Sequence, residues 1–84
     1  MSYSVSLDEL ADKYLQSLPS NISLRIIEKL EEIKLNPIRY LEHYEGKHYK
    51  IRIGDYRLLI DLDFSRKIIF IRIIDKRGRI YKGN

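Results

Sequence analysis

Three cations stand out by type and spacing. Lys50 and Arg52 flank Ile51 in "YKIRIGDYRL", and Arg57 follows the Gly54-Asp55 pair. Alternate residues of a strand share a face, so Lys50 and Arg52 project together. A two-residue loop with glycine first suits a type II′ hairpin turn. That loop pairs Ile53 with Tyr56, Arg52 with Arg57, Ile51 with Leu58 and Lys50 with Leu59. Lys50, Arg52 and Arg57 then share one face, while Tyr49, Ile51, Ile53, Tyr56, Leu58 and Ile60 make the other apolar. Like charges ~5 Å apart at an effective dielectric of ~20 repel by about 3 kcal/mol before screening. At a wet surface the cost falls to a few tenths. The patch is tolerable but does nothing for folding. It suits an anionic ligand, with relief by Asp61 on the same face as the alternative.

The terminal "DKRGRIYK" adds Lys76, Arg77, Arg79 and Lys82 around Tyr81. Cations beside an aromatic ring suit single-stranded RNA, whose bases stack on rings while its phosphates are held by charge. In a strand Arg77, Arg79 and Tyr81 share a face. Tyr81 packed at a sheet edge is the structural alternative. Lys47 and Arg72 complete the cations expected to contact RNA. In-line attack on a phosphodiester needs alignment and compensation of developing charge, and fixed cations supply both. A conventional acid–base ribonuclease uses His or Glu, and His48 beside the patch is the nearest candidate. Arginine is a poor proton acceptor, which leaves Lys50 the better base within the patch. His43 and His48 make no convincing metal site. Asp61 and Asp63 read as structural or turn residues.

These groups need a scaffold. The chain has 84 residues, enough for one domain over residues 1–84 with a modest core. Without cysteine, a disulfide framework and a thiolate metal site are excluded. There is no apolar run of membrane-spanning length and no signal-peptide layout at Met1–Leu10, which points to the cytoplasm. Residues 1–46 carry five Lys/Arg against eight Asp/Glu, and residues 47–84 carry eleven against four. The basic half points to a polyanion.

Tyr3–Ser6 alternates like a short strand. Leu7, Leu10, Ala11, Tyr14, Leu15 and Leu18 recur at helical spacing, with Ser6 and Glu9 placed as a capping box and Pro19 as the stop. Ile22, Ile26, Leu30 and Ile33, widened by Ile27, mark a second helix, capped by Ser20 or Asn21 and ended before Pro37. Residues 38–48 read as a connector with at most one helical turn. Strands are predicted over Tyr49–Ile53, Tyr56–Asp63, Lys67–Ile74 and Arg79–Lys82, with turns at Asp63–Arg66 and Asp75–Gly78. The expected fold class is α+β. A short N-terminal strand leads into an antiparallel two-helix hairpin, packed on one face of a small, mainly antiparallel twisted sheet.

With "NPIRY", "EGKHYKIRIGDYRLLIDLD" and "RGRIYK" in this order behind two amphipathic helices, nearly the whole chain resembles the RelE family of the RelE/ParE toxin superfamily, most of all its archaeal members. The resemblance implies a type II toxin that cleaves mRNA in the ribosomal A site without a metal or cofactor. The message's 2′-OH attacks the adjacent phosphate, and a cognate antitoxin blocks the toxin. By similarity, Lys50 and Arg52 assist 2′-OH activation and hold the phosphate. Arg57 stabilises the transition state, Arg77 aids departure of the 5′ oxygen, and Tyr81 stacks on the nucleotide. Arg52 stands where some bacterial members have Lys, and Arg79 competes with Arg77 for its role. Two other functions compete with this one: a ParE-like toxin, which shares the fold but inhibits DNA gyrase without needing the cation cluster, and a plain RNA-binding module.

Overall fold

Prolines and a glycine turn punctuate this chain, and the elements fall between them. The computed structural model describes residues 2–76, running β1 (Ser4–Leu7), α1 (Glu9–Ser17), α2 (Ser20–Ile33), α3 (Pro37–Tyr40), β2 (Glu42–Glu45), β3 (His48–Ile53), β4 (Tyr56–Asp63) and β5 (Ile68–Lys76). Leu18 and Pro19 alone join α1 to α2. Pro37 opens α3, where its fixed φ suits a first helical residue and its missing N–H costs nothing. The fold is α+β. Five strands form one sheet in the order β1-β5-β4-β3-β2, antiparallel except for the β1–β5 pair.

The helices cover one face of this sheet. Ala11 and Leu15 of α1 and Ile26, Leu30 and Ile33 of α2 are buried against Leu58, Ile60, Ile69 and Ile71 of the central strands. Burying an aliphatic side chain of this size contributes about 1.5–3 kcal/mol, so the apolar stripes hold the two layers together. Two residues of the expected stripes lie outside the core: Leu10 is 78% exposed and Ile27 42%. Each flanks its stripe, and a nine-residue α1 has too narrow a buried face to cover its flank.

The helix starts differ from expectation. Ser6 is in β1 rather than at a cap, paired with Phe70. Asp8 holds the N-cap position of α1 with no capping bond from its side chain, because its carboxylate accepts from Arg72 instead. Pro19 takes the N-cap position of α2, and Ser20 is already helical.

The sheet differs in two further places. Glu42–Glu45 forms a strand in the expected connector. All four of its residues are exposed, so no apolar alternation marked it. Strand β5 reaches Lys76 and contains a bulge: Leu59 pairs with Ile73, but Ile60 pairs with Ile71. Arg72 is the extra residue, and beyond it the inward phase passes from Ile69 and Ile71 to Ile74. The predicted strand Arg79–Lys82 and the end of the Asp75–Gly78 turn lie outside the described residues.

The β3–β4 hairpin has the predicted register throughout, from Ile53↔Tyr56 to Lys50↔Leu59. Gly54 has φ +60°, and Lys67 is the one non-glycine with positive φ among the described residues. Positive φ at the first loop residue but not the second is the signature of a type II′ turn.

Candidate active site

The sheet face turned away from the helices is read in rows across the strands. One row runs Arg52, Arg57, Asp75. The next runs Glu42, Lys50, Leu59, Ile73. A third runs Glu45, His48, Asp61, Phe70, Ser6. Lys50, Arg52 and Arg57 are therefore together, with Arg52 exposed and the other two half-buried. The register does oppose two arginines. It also sets Asp75 beside Arg57 and Glu42 beside Lys50, so carboxylates at the flanks moderate a repulsion that remains at the centre.

Two local contacts shape this patch. The Lys50 ammonium lies 5.0 Å from the Tyr44 ring centroid, a cation–π contact that anchors the long side chain. Arg25 of α2 reaches the hairpin, and a Cβ on Gly54 would meet its guanidinium at 3.4 Å. Arg25, Lys29 and Arg52 surround a hollow of about 300 Å³ together with Glu28 and Glu32. The tip of the hairpin is thus basic on more sides than the strand pattern indicated.

Other expected RNA-contacting residues are scattered. Lys47 is exposed beside β3, and its carbonyl accepts from the Leu62 N–H. Lys76 is exposed but in register with Tyr56, on the opposite face from Arg57. Arg72 projects from its bulge into a network: Nε donates to Asp61 Oδ2 at 2.8 Å, and a terminal nitrogen donates to Asp8 Oδ1 at 2.9 Å. Its guanidinium also stacks 4.8 Å from the Phe70 ring centroid. Arg77, Arg79, Tyr81 and Lys82 lie outside the described residues.

Asp61 is the residue the sequence reading undervalued. It is 5% exposed, in the middle of β4, with Arg72 on one carboxylate oxygen and His48 Nδ1 on the other. Burial pushes its pKa up, but hydrogen bonds from Arg72 and His48 and their charges outweigh this and hold it below the ordinary value. The bond to Asp61 foremost, opposed by burial and aided by Asp8, raises Arg72. Asp61 is therefore a fixed anion. The signal was present in "LLIDLD": a carboxylate inside an apolar strand run must find cationic or hydrogen-bonding partners. The turn residue Asp63 is different. Its carboxylate caps the Phe64–Lys67 turn by accepting from the Arg66 backbone N–H and side chain, and these bonds lower its pKa.

A basic face on a five-stranded sheet with paired helices is a scaffold with known relatives. The family model described as ParE toxin of the type II toxin-antitoxin system, parDE, matches residues 5–81. The chain belongs to the RelE/ParE superfamily of type II toxins. Within the superfamily, it is 30% identical to the protein named RelE1 of Methanocaldococcus jannaschii, over 99% of each chain. The RelE toxin in the archaeal RelE–RelB complex of Pyrococcus horikoshii superposes with a TM-score of 0.79 at 29% identity, covering 94% of this chain and 99% of that one. The RelBE2 toxin–antitoxin complex of Mycobacterium tuberculosis gives 0.82 at 25% identity, over 92% and 100%. The RelE/ParE fold is therefore present here, and the Pyrococcus horikoshii and Mycobacterium tuberculosis structures are both complexes of a toxin with its antitoxin.

Proposed function

We propose that this RelE-type toxin is a ribosome-dependent endoribonuclease that cleaves mRNA in the A site. The observation that carries the reading is the grouping of Lys50, Arg52 and Arg57 on one sheet face, fixed by the register of the hairpin. The message supplies its own nucleophile. The 2′ oxygen attacks the neighbouring phosphorus, the bond to the 5′ oxygen breaks, and a 2′,3′-cyclic phosphate and a 5′-hydroxyl result. Lys50 and Arg52 hold the phosphate, and Arg57 compensates the charge that builds on its oxygens. Arg77 and Tyr81, with Arg79 as the alternative arginine, complete the site in this reading by their place in the family pattern. Lys47, Arg72, Lys76 and Lys82 contribute to contacts with RNA and ribosome, Arg72 through the network that fixes it rather than as an uncommitted cation.

A cognate antitoxin is the expected protein partner, since the Pyrococcus horikoshii and Mycobacterium tuberculosis toxins were solved with theirs. The reaction takes place in the cytoplasm, where ribosomes are. Among the described residues no helix is long and apolar enough to cross a membrane.

The test is translation of a defined message with ribosomes and purified toxin. Cuts at codon positions that require the ribosome are expected, with 2′,3′-cyclic phosphate ends. Intact message at stoichiometric toxin overturns the reading. A second reading has one observation behind it, the ParE description of the matching family model. Growth arrest with loss of DNA supercoiling and intact mRNA selects gyrase inhibition instead.

A further inference from the structure

Cleavage by 2′-OH attack requires a group that takes the 2′ proton. Arg52 and Arg57 have no lone pair to offer at any working pH. The ammonium of Lys50 is engaged with the Tyr44 ring as a cation. Among the described residues, the same sheet face holds one side chain with an acceptor nitrogen and a built orientation. His48 lies two residues before Lys50, about 7 Å away along the strand and on the same side. That separation is about the span of a phosphodiester linkage held between the two.

The orientation comes from Asp61. Its carboxylate is buried and anionic and has no proton to donate, so His48 Nδ1 must be the donor in the bond between them. This fixes the tautomer: in the neutral ring the lone pair is on Nε2. Asp61 is itself held in place by Arg72 at 2.8 Å, and Arg72 by Asp8 at 2.9 Å. The chain of contacts therefore runs from the start of α1, through the bulge of β5 and the centre of β4, to His48 on β3. The His48 side chain is 44% exposed, and among the described residues its Nε2 has no hydrogen-bond partner. Glu45 of β2 is its neighbour on the other side in register.

We propose that His48, oriented by Asp61, is the general base of this toxin, accepting the 2′-hydroxyl proton at Nε2. The inference rests on the cleavage reading above and assigns within it the proton that the cationic patch leaves unplaced. As the 2′ oxygen bonds to phosphorus, its proton passes to Nε2. The electron pair of the breaking bond goes to the 5′ oxygen, which takes a proton from water. The imidazolium then returns its proton to solvent. His48 touches the reacting hydroxyl and is catalytic, while Asp61 acts through it as a positioning residue. The arrangement of acceptor, orienting carboxylate and fixed tautomer is a common solution for activating a hydroxyl.

The experiment measures single-turnover cleavage of a defined message on ribosomes by the unaltered protein, His48→Gln, His48→Gly and Asp61→Asn, each at saturating toxin. Thermal melting confirms folding, and ribosome pelleting measures binding. A positioned base is worth about 10²–10⁴ in rate, so His48→Gln is expected to lose on the order of 100-fold with binding unchanged. Added imidazole is expected to restore His48→Gly by about tenfold or more, which loss of a merely structural side chain does not predict. Asp61→Asn, where it melts as a folded protein, is expected to slow cleavage because an amide can hold the wrong tautomer. Cleavage by His48→Gln within about threefold of the unaltered protein overturns the role of His48 while leaving the nuclease reading intact. Loss in His48→Gly that imidazole does not relieve overturns it equally. No cleavage by the unaltered protein overturns the nuclease reading itself, and the base with it.

Discussion

Two groups of charges share the open face of the sheet, and they are built in opposite ways. At the hairpin end, Arg52 is exposed, its side chain makes no hydrogen bond among the described residues, and it has another arginine as its cross-strand neighbour. At the other end, Asp61 is buried and commits both carboxylate oxygens, one to His48 and one to Arg72. The first arrangement is set chiefly by backbone register, which opposes Arg52 to Arg57 at its centre, with carboxylates and the Tyr44 ring at its flanks. The second is held by the side chains themselves. A cluster with like charges opposed at its centre is poised to gain energy when a polyanion arrives. A satisfied network gains nothing from a ligand and gives position instead.

The comparison makes its largest prediction at Arg57. Arg57→Ala removes the cation at the centre of the patch, and loss of one preorganised donor to a developing oxyanion costs about 10²–10³ in rate. Cleavage on the ribosome is expected to fall by that factor, while the melting temperature stays within a few degrees. A variant that melts far earlier than the parent would show that Arg57 belongs to the structural group, and the division would fail there.

Arg72 tests the other side. Removing one partner of a buried ion pair costs ~3–5 kcal/mol, because the other charge is left without compensation. The Arg72 side chain is 36% exposed, so solvent reduces this, and Arg72→Met is expected to lose about 2 kcal/mol in chemical denaturation. If stability is unchanged and only RNA binding falls, Arg72 is an interface cation, as its sequence position first suggested. The same pair sets a pH dependence. Asp61 has a lower pKa folded than unfolded, so its contribution to stability is complete above the ordinary carboxylate value of 3.8 and is lost as pH falls through the lower folded value. Acid unfolding of Arg72→Met is expected to begin from a lower starting stability and to show a shallower loss below that pH. Equal slopes for the two proteins would detach Asp61 from Arg72.

The two groups were unequally legible in the sequence. The hairpin and its cation row were readable because each rule involved is local: alternation decides the face, and Gly54 ahead of Asp55 decides the turn and therefore the register. The helix pair was readable from its stripes. The network was not, since Asp8, His48, Asp61 and Arg72 come from four separate elements and meet only through sheet order, which alternation does not specify. The bulge at Arg72 made this harder, because it reverses the phase of β5 at the residue that matters. Strand β2 escaped notice for the reason that it buries nothing: its register comes from pairing with β3, not from any pattern of its own. The C-terminal arginines and Tyr81 remain readings of the family pattern.

The smallest prediction concerns the turn that makes the cation row. Gly54 has φ +60°, a conformation that costs an L-residue about 1–2 kcal/mol. The added Cβ would also come within 3.4 Å of the Arg25 guanidinium, which is the flexible end of a side chain and can give way. Gly54→Ala is therefore expected to lose about 1–2 kcal/mol, the backbone cost alone, because the first loop position of a type II′ turn suits glycine and strains an L-residue. The effect on cleavage discriminates more finely than the effect on stability. If the turn does no more than close the hairpin, activity should track stability and be unchanged at temperatures where the variant is folded. If register is what holds Arg52 against Arg57, an alanine that shifts the turn type will loosen that opposition, and single-turnover cleavage at low temperature should fall several-fold in a protein that is fully folded. The second outcome would place the cost of the opposed arginines in the turn itself, with one glycine holding the repulsive pair in place for its ligand.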